Sequence, residues 1–247
     1  LRRKEATAKY YTGENREDIY DYIPSQENNR VFTPKGVVNQ MLDILEMENP
    51  GIFKSQRTKF LDPYMKSGNF LAEIAKRLYE YSHDKDIERI VEQQLFGITP
   101  HEIYTILSQE TVYGWAENRF KHRLRNRNFQ AEPQIHEAIK QPDGLVNIIK
   151  EHFGDMKFDV VIGNPPYQEN DNGVRDDGSV NASASPIYQY FVNSAKRISH
   201  KQCFVIPSRW TSGAGKGLKK FSETMLADRS IKHFSLFTNS KDVFPDN

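Results

Sequence analysis

Apolar positions along the chain fall into two alternating patterns. Short continuous runs rich in β-branched and aromatic residues occur at Lys59–Leu61, Gln94–Ile98, Phe158–Ile162, Gln202–Ile206 and Ile231–Leu236. Continuous runs are what strands buried on both faces of a parallel sheet require, whereas a half-wetted strand alternates. Between them lie stretches with helical spacing: Lys35–Glu46, Phe70–Tyr81, His101–Tyr113, Leu145–His152, Ile187–Ile198 and Gly217–Leu226. In the second of these, Phe70, Leu71, Ile74, Ala75 and Leu78 share one face of a 3.6-residue period. Strands alternating with helices predict an α/β fold, a mostly parallel sheet with helices on both faces. A further short strand is expected at Gln134–Ile139, and no internal repeat is visible.

Three stretches break the alternation. The first 30 residues are polar with several tyrosines and read as an N-terminal polar or helical extension, leaving 31–247 as one core. Asn118–Gln130 is charged, with Lys121, His122, Arg123, Arg125 and Arg127 close together. Gln168–Ser185 is rich in Asn, Asp, Gly and Ser, the composition of a long surface loop.

Charge and composition then narrow the function classes. Lys plus Arg is 34 and Asp plus Glu is 33, a net charge of +1, which excludes a globally basic nucleic-acid coat but not a basic face. No apolar run approaches the roughly 18 residues of a membrane span, so no membrane role is expected. The single cysteine, Cys203, rules out an intrachain disulfide and a cysteine-based zinc site, and fits a reducing cytoplasm. The seven histidines show no metal-ligand spacing. The opening residues Leu1-Arg2-Arg3-Lys4 lack both an apolar stretch behind them and an initiating Met, so neither a signal peptide nor a complete chain is expected.

The most specific passage is Phe158-Asp159-Val160-Val161-Ile162-Gly163-Asn164-Pro165-Pro166-Tyr167. A buried strand runs directly into a rigid proline turn, at the strand end where open α/β folds bind ligands. An exocyclic amino nitrogen on a base or amide has a delocalised lone pair, and it must become more tetrahedral to accept a methyl group. The Asn164 side-chain oxygen and the Pro165 carbonyl can accept its two N–H bonds, and Tyr167 can stack on the flat group. The bland alternative is a proline turn with a packing tyrosine.

At these residues the chain resembles the N6-adenine DNA methyltransferases of restriction–modification systems. The resemblance extends to Val31-Phe32-Thr33-Pro34, which looks like the segment that opens the cofactor pocket. It also covers Phe60-Leu61-Asp62-Pro63 through Gly68-Asn69-Phe70-Leu71, which looks like the first cofactor motif. Gln94–Ile98 looks like the second strand, and Ile139–Leu145, with Asp143, like the motif whose acid meets the cofactor's adenine. Ser185-Pro186-Ile187-Tyr188 and Phe204–Trp210 match the helix and strand after the catalytic turn. The resemblance implies a Rossmann-like methyltransferase fold using S-adenosylmethionine. It implies a catalytic group of Asn164, Pro165, Pro166 and Tyr167. It implies cofactor contacts from Phe32, Thr33, Pro34, Asp62, Pro63, Lys66, Ser67, Gly68, Asn69, Phe70, Thr99, Asp143 and Asn164. The implied partner is double-stranded DNA, with a restriction endonuclease domain or subunit outside this chain and no metal needed for methyl transfer. A target-recognition domain is expected beyond Asn247.

The pattern departs in places. Lys66 stands where the family has glycine, so the turn has another shape, the site is damaged, or the ammonium meets the cofactor carboxylate. Thr99 stands where an acid for the ribose is expected, with Glu102 nearby as a substitute. Asp143 reads equally well as a solvated turn residue beside Gly144. Lys121, Arg123, Arg125, Arg127, Arg209 and Trp210 are candidate DNA contacts, each balanced by a solvated-loop or packing reading. Gly213-Ala214-Gly215-Lys216-Gly217 lacks the spacing of a phosphate-binding loop. Cys203, inside an apolar strand, argues against a thiolate nucleophile and for direct transfer to nitrogen. Two rivals stand beside this reading: a protein-glutamine methyltransferase, since an amide nitrogen poses the same problem, and a silent methyltransferase fold that binds DNA or a partner.

Overall fold

The computed structural model describes residues 32–120, 128–168, 185–213 and 217–244. Its strands are β1 (Phe60–Asp62), β2 (Leu95–Thr99), β3 (Phe129–Ala131), β4 (Phe158–Gly163) and β5 (Ser199–Phe204). All pair in parallel, in the order β3-β2-β1-β4-β5. The helices of full length are α1 (Lys35–Glu48), α2 (Asn69–Tyr81), α3 (Glu102–Phe120), α4 (Gly144–Phe153), α5 (Tyr188–Ile198) and α6 (Leu218–Ala227). The expected α/β architecture is what forms, and the run-to-strand reading holds because β1, β2 and most of β4 are buried on both faces.

Strands β1, β2 and β4 divide their side chains between two cores. Phe60, Leu95, Val160 and Ile162 face α1, α2 and α3, packing with Leu42, Leu71, Ile74, Val112 and Tyr113. Leu61, Phe96, Ile98 and Val161 face α4 and α5, packing with Leu145, Ile149, Phe191 and Ala195. The chain is therefore wound both ways from the β1–β4 pair. A three-layer sheet of this kind opens a crevice at the carboxyl ends of its two central strands.

Two expectations fail. Ile231–Leu236 is not a strand: the segment is irregular, and Ile231, Phe234 and Leu236 are exposed. An apolar run becomes a strand only with a hydrogen-bonding neighbour, and no described residue pairs with it. Gln134–Ile139 is not a strand either but holds a helical turn, Ile135–Ala138, because its two buried residues, Ile135 and Ile139, sit four apart. Conversely, β3 was not foreseen. Its one buried side chain is Phe129, and it exists through backbone pairing with β2 from Gly97 to Thr99. Helix α3 continues past Tyr113 because Trp115 and Ala116 extend its buried stripe. The Tyr113 hydroxyl then accepts from Asn128 N at 2.9 Å. Strand β5 begins at Ser199 rather than Gln202, directly on the end of α5.

The end of β1 carries an acid inside the protein. Asp62 is 4% exposed, and its Oδ1 accepts from Tyr64 N at 3.1 Å. A side chain at Gly163, on the neighbouring strand, would have its Cβ 2.8 Å from Asp62 Oδ1, so glycine is what lets the two strand ends close. Burial pushes the Asp62 carboxyl up to about 7, against the smaller pull of Tyr64 N–H and the Lys66 ammonium. The folded state thus holds a proton that the unfolded chain releases near pH 4. Stability is expected to fall as pH rises from about 4 to about 7, by at most about 4 kcal/mol for the full separation of the two pKa values. In Asp62→Asn this part of the pH dependence should vanish. Thermal melts of both proteins across that window check it, and parallel slopes would contradict it.

Candidate active site

Three separate chain segments meet at the carboxyl end of the β1–β4 pair. The first is Phe32-Thr33-Pro34, where Pro34 opens α1 by accepting from Val38 N at 3.0 Å. Helix α1 is clamped to α2 by polar contacts. Asn39 Nδ2 donates to Glu73 Oε2 at 3.1 Å, and Arg77 reaches Asp43 Oδ1 at 2.6 Å. Phe32 and Pro34 are half-buried, whereas Thr33 is buried.

The second segment is the turn from β1 into α2. Pro63, Ser67 and Asn69 are buried, and Gly68 has φ +79, a left-handed value that favours glycine. A Cβ on Gly68 would also come within 3.0 Å of Ser108 Cβ on α3. Asn69 then starts α2, its N–H accepted by Ser67 Oγ at 3.3 Å. Phe70 is buried in the core with α1. Lys66 does not adopt a positive φ, and the left-handed residue of this turn is Gly68, which agrees with a turn of another shape. Its Nζ lies 5.4 Å from the centre of the Tyr64 ring, a cation–π distance. The Tyr64 hydroxyl lies 2.6 Å from His136 Nε2 while the two rings stack. Met65 covers Gly97 of β2, whose missing Cβ makes the room.

The third segment is Asn164-Pro165-Pro166-Tyr167 at the end of β4. Both prolines are buried, and Asn164 and Tyr167 are half-buried. Asn164 Nδ2 donates to Thr33 Oγ1 at 3.2 Å. Asn69 Nδ2 donates to the Thr33 carbonyl at 3.1 Å. The opposite ends of these two amides, Asn69 Oδ1 and Asn164 Oδ1, are both buried and accept nothing. A buried carbonyl oxygen without a donor costs about 1–3 kcal/mol, so two on amides held by the same Thr33 mark a place where donors from outside the chain fit. Burial raises the Tyr167 phenol above its ordinary range, a hydrogen bond with the Asn164 side chain acting the other way. The turn is latched from behind: Ile187 N, just before α5, donates to Tyr167 O at 3.3 Å, and Gln168 bridges to Pro186.

Other expected site residues belong to none of these three segments, although the end of β2 adjoins the second, Ile98 O accepting from Met65 N at 2.7 Å. Thr99 ends β2 fully buried, its hydroxyl shared among His101 O and Gln130 O, each at 3.3 Å, and Thr105 Oγ1. Glu102 is exposed at the start of α3. Asp143 has φ +66 at the start of α4 and pairs with Arg197 on α5. Arg209 is exposed, whereas Trp210 is buried edge-on against Phe221 and Phe234, a packing position rather than a surface one. Lys121, Arg123, Arg125 and Arg127 lie outside the described residues. Burial pushes the Cys203 thiol up to about 12, which leaves it without nucleophilic thiolate at neutral pH. The described residues hold no group of three or more His, Cys, Asp or Glu placed to bind a metal ion, and no helix among them is long and apolar enough to cross a membrane. The sequence reading missed Gly163 and His136. A glycine ending a buried strand just before Asn-Pro-Pro was a usable signal for the first; nothing local marked the second.

Comparison with known proteins bears on this arrangement. An "Uncharacterized adenine-specific methylase" of Mycoplasma pneumoniae is 27% identical over 287 aligned positions, covering 92% of this chain and 66% of the relative, so the chain spans just under two thirds of that protein. Among solved structures, the DrdV–DNA complex superposes with a TM-score of 0.55 at 16% identity, over 85% of this chain and 23% of that one. A modification subunit of a putative type I restriction enzyme from Vibrio vulnificus YJ016 gives 0.51 at 16% identity, over 90% and 43%. These likenesses establish the fold. The match to the Eco57I restriction-modification methylases runs over residues 63–244, from the turn after β1 to the end of the described chain, and the chain therefore belongs to that family.

Proposed function

We propose that this chain is the catalytic core of an adenine-specific DNA methyltransferase of a restriction–modification system, acting on the N6 amino group of an adenine swung out of double-stranded DNA. The observation that carries the reading is the Asn164 carboxamide. Its oxygen is buried, unpartnered and fixed at the carboxyl end of β4, ahead of two buried prolines. It suits an N–H donor entering the crevice. The names of the relatives agree: one is an adenine-specific methylase, and the superposed DrdV structure holds DNA. Double-stranded DNA is accordingly the proposed partner, with a restriction endonuclease supplied elsewhere.

S-adenosylmethionine is the cofactor that family membership implies, and the residues present fit it. Its amino-acid end carries an ammonium and a carboxylate. Asn69 Oδ1 is an orphaned acceptor for the first. The opening amides of α2 and the Lys66 ammonium suit the second. Asp62 and the Gly68 turn shape the floor. When bound, the cofactor supplies a methyl group on a positively charged sulfur, an electrophile that needs no metal.

The chain's own residues prepare the acceptor. Asn164 Oδ1 and the Pro165 carbonyl take the two N–H bonds of the target amine, which draws its nitrogen toward a tetrahedral shape and frees the lone pair. These acceptors also favour the positive charge that grows on nitrogen during transfer. Tyr167 holds the base by its face, and the latch of Tyr167 O to the start of α5 keeps that ring in place. The raised thiol of Cys203 leaves direct transfer to nitrogen as the route consistent with the site.

Asn164→Ala should lower the methylation rate by at least about a hundredfold while S-adenosylmethionine affinity stays within a few fold, as loss of transition-state contacts predicts. Rate assays and calorimetry on the same preparation check it, and equal loss of both would remove Asn164 from catalysis. Tyr167→Phe and Tyr167→Trp should retain more activity than Tyr167→Ala, and a Tyr167→Phe enzyme as weak as the alanine variant would point to the hydroxyl instead. The reaction itself is tested by expressing the full-length protein in a host free of adenine methylation and sequencing its DNA for modified bases. N6-methyladenine at one recurring motif is expected. A soluble, folded product that leaves DNA unmodified would shift the reading to a silent or protein-modifying relative.

A further inference from the structure

Thr33 serves both halves of the crevice, and it does so through two different atoms. Its hydroxyl accepts from Asn164 Nδ2 at 3.2 Å, across 131 residues of chain. Its backbone carbonyl accepts from Asn69 Nδ2 at 3.1 Å, across 36. A carboxamide can present either its oxygen or its nitrogen to a ligand, and the two choices have opposite hydrogen-bonding character. Holding the –NH2 end decides the matter: the oxygen must take the other side. Both oxygens are the buried, unpartnered atoms of the site. Thr33 itself is buried and its position is held by the clamp between α1 and α2.

Resting on the methyltransferase reading above, we propose that Thr33 is a positioning residue. Its hydroxyl orients the Asn164 carboxamide so that the oxygen faces the target amine, while its carbonyl independently orients Asn69 toward the cofactor's ammonium. A flipped Asn164 would offer N–H bonds to an amine that must itself donate, and would repel it. The division of labour has a consequence that a purely structural role lacks. Removing the hydroxyl should disturb the target side alone, because the backbone carbonyl that serves Asn69 remains.

The test compares Thr33→Val, which keeps the shape and loses the acceptor, with Thr33→Ser, which keeps the acceptor. In the full-length protein, single-turnover methylation of DNA at saturating cofactor should fall about tenfold or more in Thr33→Val and recover to within about threefold in Thr33→Ser. S-adenosylmethionine affinity by calorimetry should stay within about threefold in both. In the free protein, the Asn164 side-chain amide protons should exchange with solvent faster in Thr33→Val than in the parent, as seen by NMR. A Thr33→Val protein with parental rate and parental amide exchange would overturn the proposal. So would one that loses cofactor affinity and rate in parallel, since that outcome belongs to a cofactor contact or a damaged fold. If the parent enzyme methylates nothing, the catalytic reading has failed, and the amide-exchange comparison still decides whether Thr33 orients Asn164.

Discussion

The pairing of β1 with β4 is the constraint on which everything at the site depends. These strands are neighbours in space although a hundred residues separate Lys59 from the Asp159 side chain that takes its N–H at 2.8 Å. From this pair the chain winds outward in opposite directions, through α2 toward β2 and through α5 toward β5. Helices leaving opposite faces cannot cover the space between the two strand ends, so a crevice opens there. Its closeness is set by a single missing atom, the Cβ of Gly163, where the Asp62 carboxylate sits instead. A side chain there would have to displace the Asp62 carboxyl from its place at the end of β1.

Energetics and chemistry pull against each other in this crevice. A core that buries β1 and most of β4 favours apolar groups, yet the strand ends and the start of α2 carry Asp62, Asn164 and Asn69, with two orphaned oxygens and a carboxyl held partly protonated at neutral pH. Each is unfavourable in the free protein. The two cores on either side, with Leu71, Ile74 and Val160 on one and Leu145, Val161 and Phe191 on the other, are what make such a local deficit tolerable. A site that satisfied its own amides would be more stable and would have nothing left to offer a ligand.

Much of this was legible before any coordinates. The buried strands announced themselves as unbroken apolar runs, and Phe158 through Tyr167 placed a rigid turn where the crevice would be. What escaped the reading had physical reasons. Strand β3 owes its existence to the backbone of β2 rather than to its own side chains, so its pattern carried no signal. Ile231–Leu236 carried the signal without the partner. Lys66 left three readings open because glycine at that place usually signals left-handed backbone, and the torsion angles put the left-handed residue of this turn at Gly68. Thr33 could be assigned to the cofactor side from its neighbours, but its hold on Asn164 joins residues 131 apart and has no local trace.

That long separation has a bearing on how the protein is made. A ribosome adding roughly 5–20 residues per second needs on the order of ten seconds to travel from Thr33 to Asn164. During that interval α1 and α2, whose contacts span fewer than forty residues, can already dock through Asn39, Glu73 and Arg77. Thr33 and Asn69 would then be seated as a preformed half-site while β4 is still being synthesised. Asn164 then arrives after both, at a socket already formed. Sequence changes that loosen the α1–α2 clamp would therefore show first in the yield of correctly assembled protein from the ribosome, ahead of any change in the chemistry of molecules that had already folded.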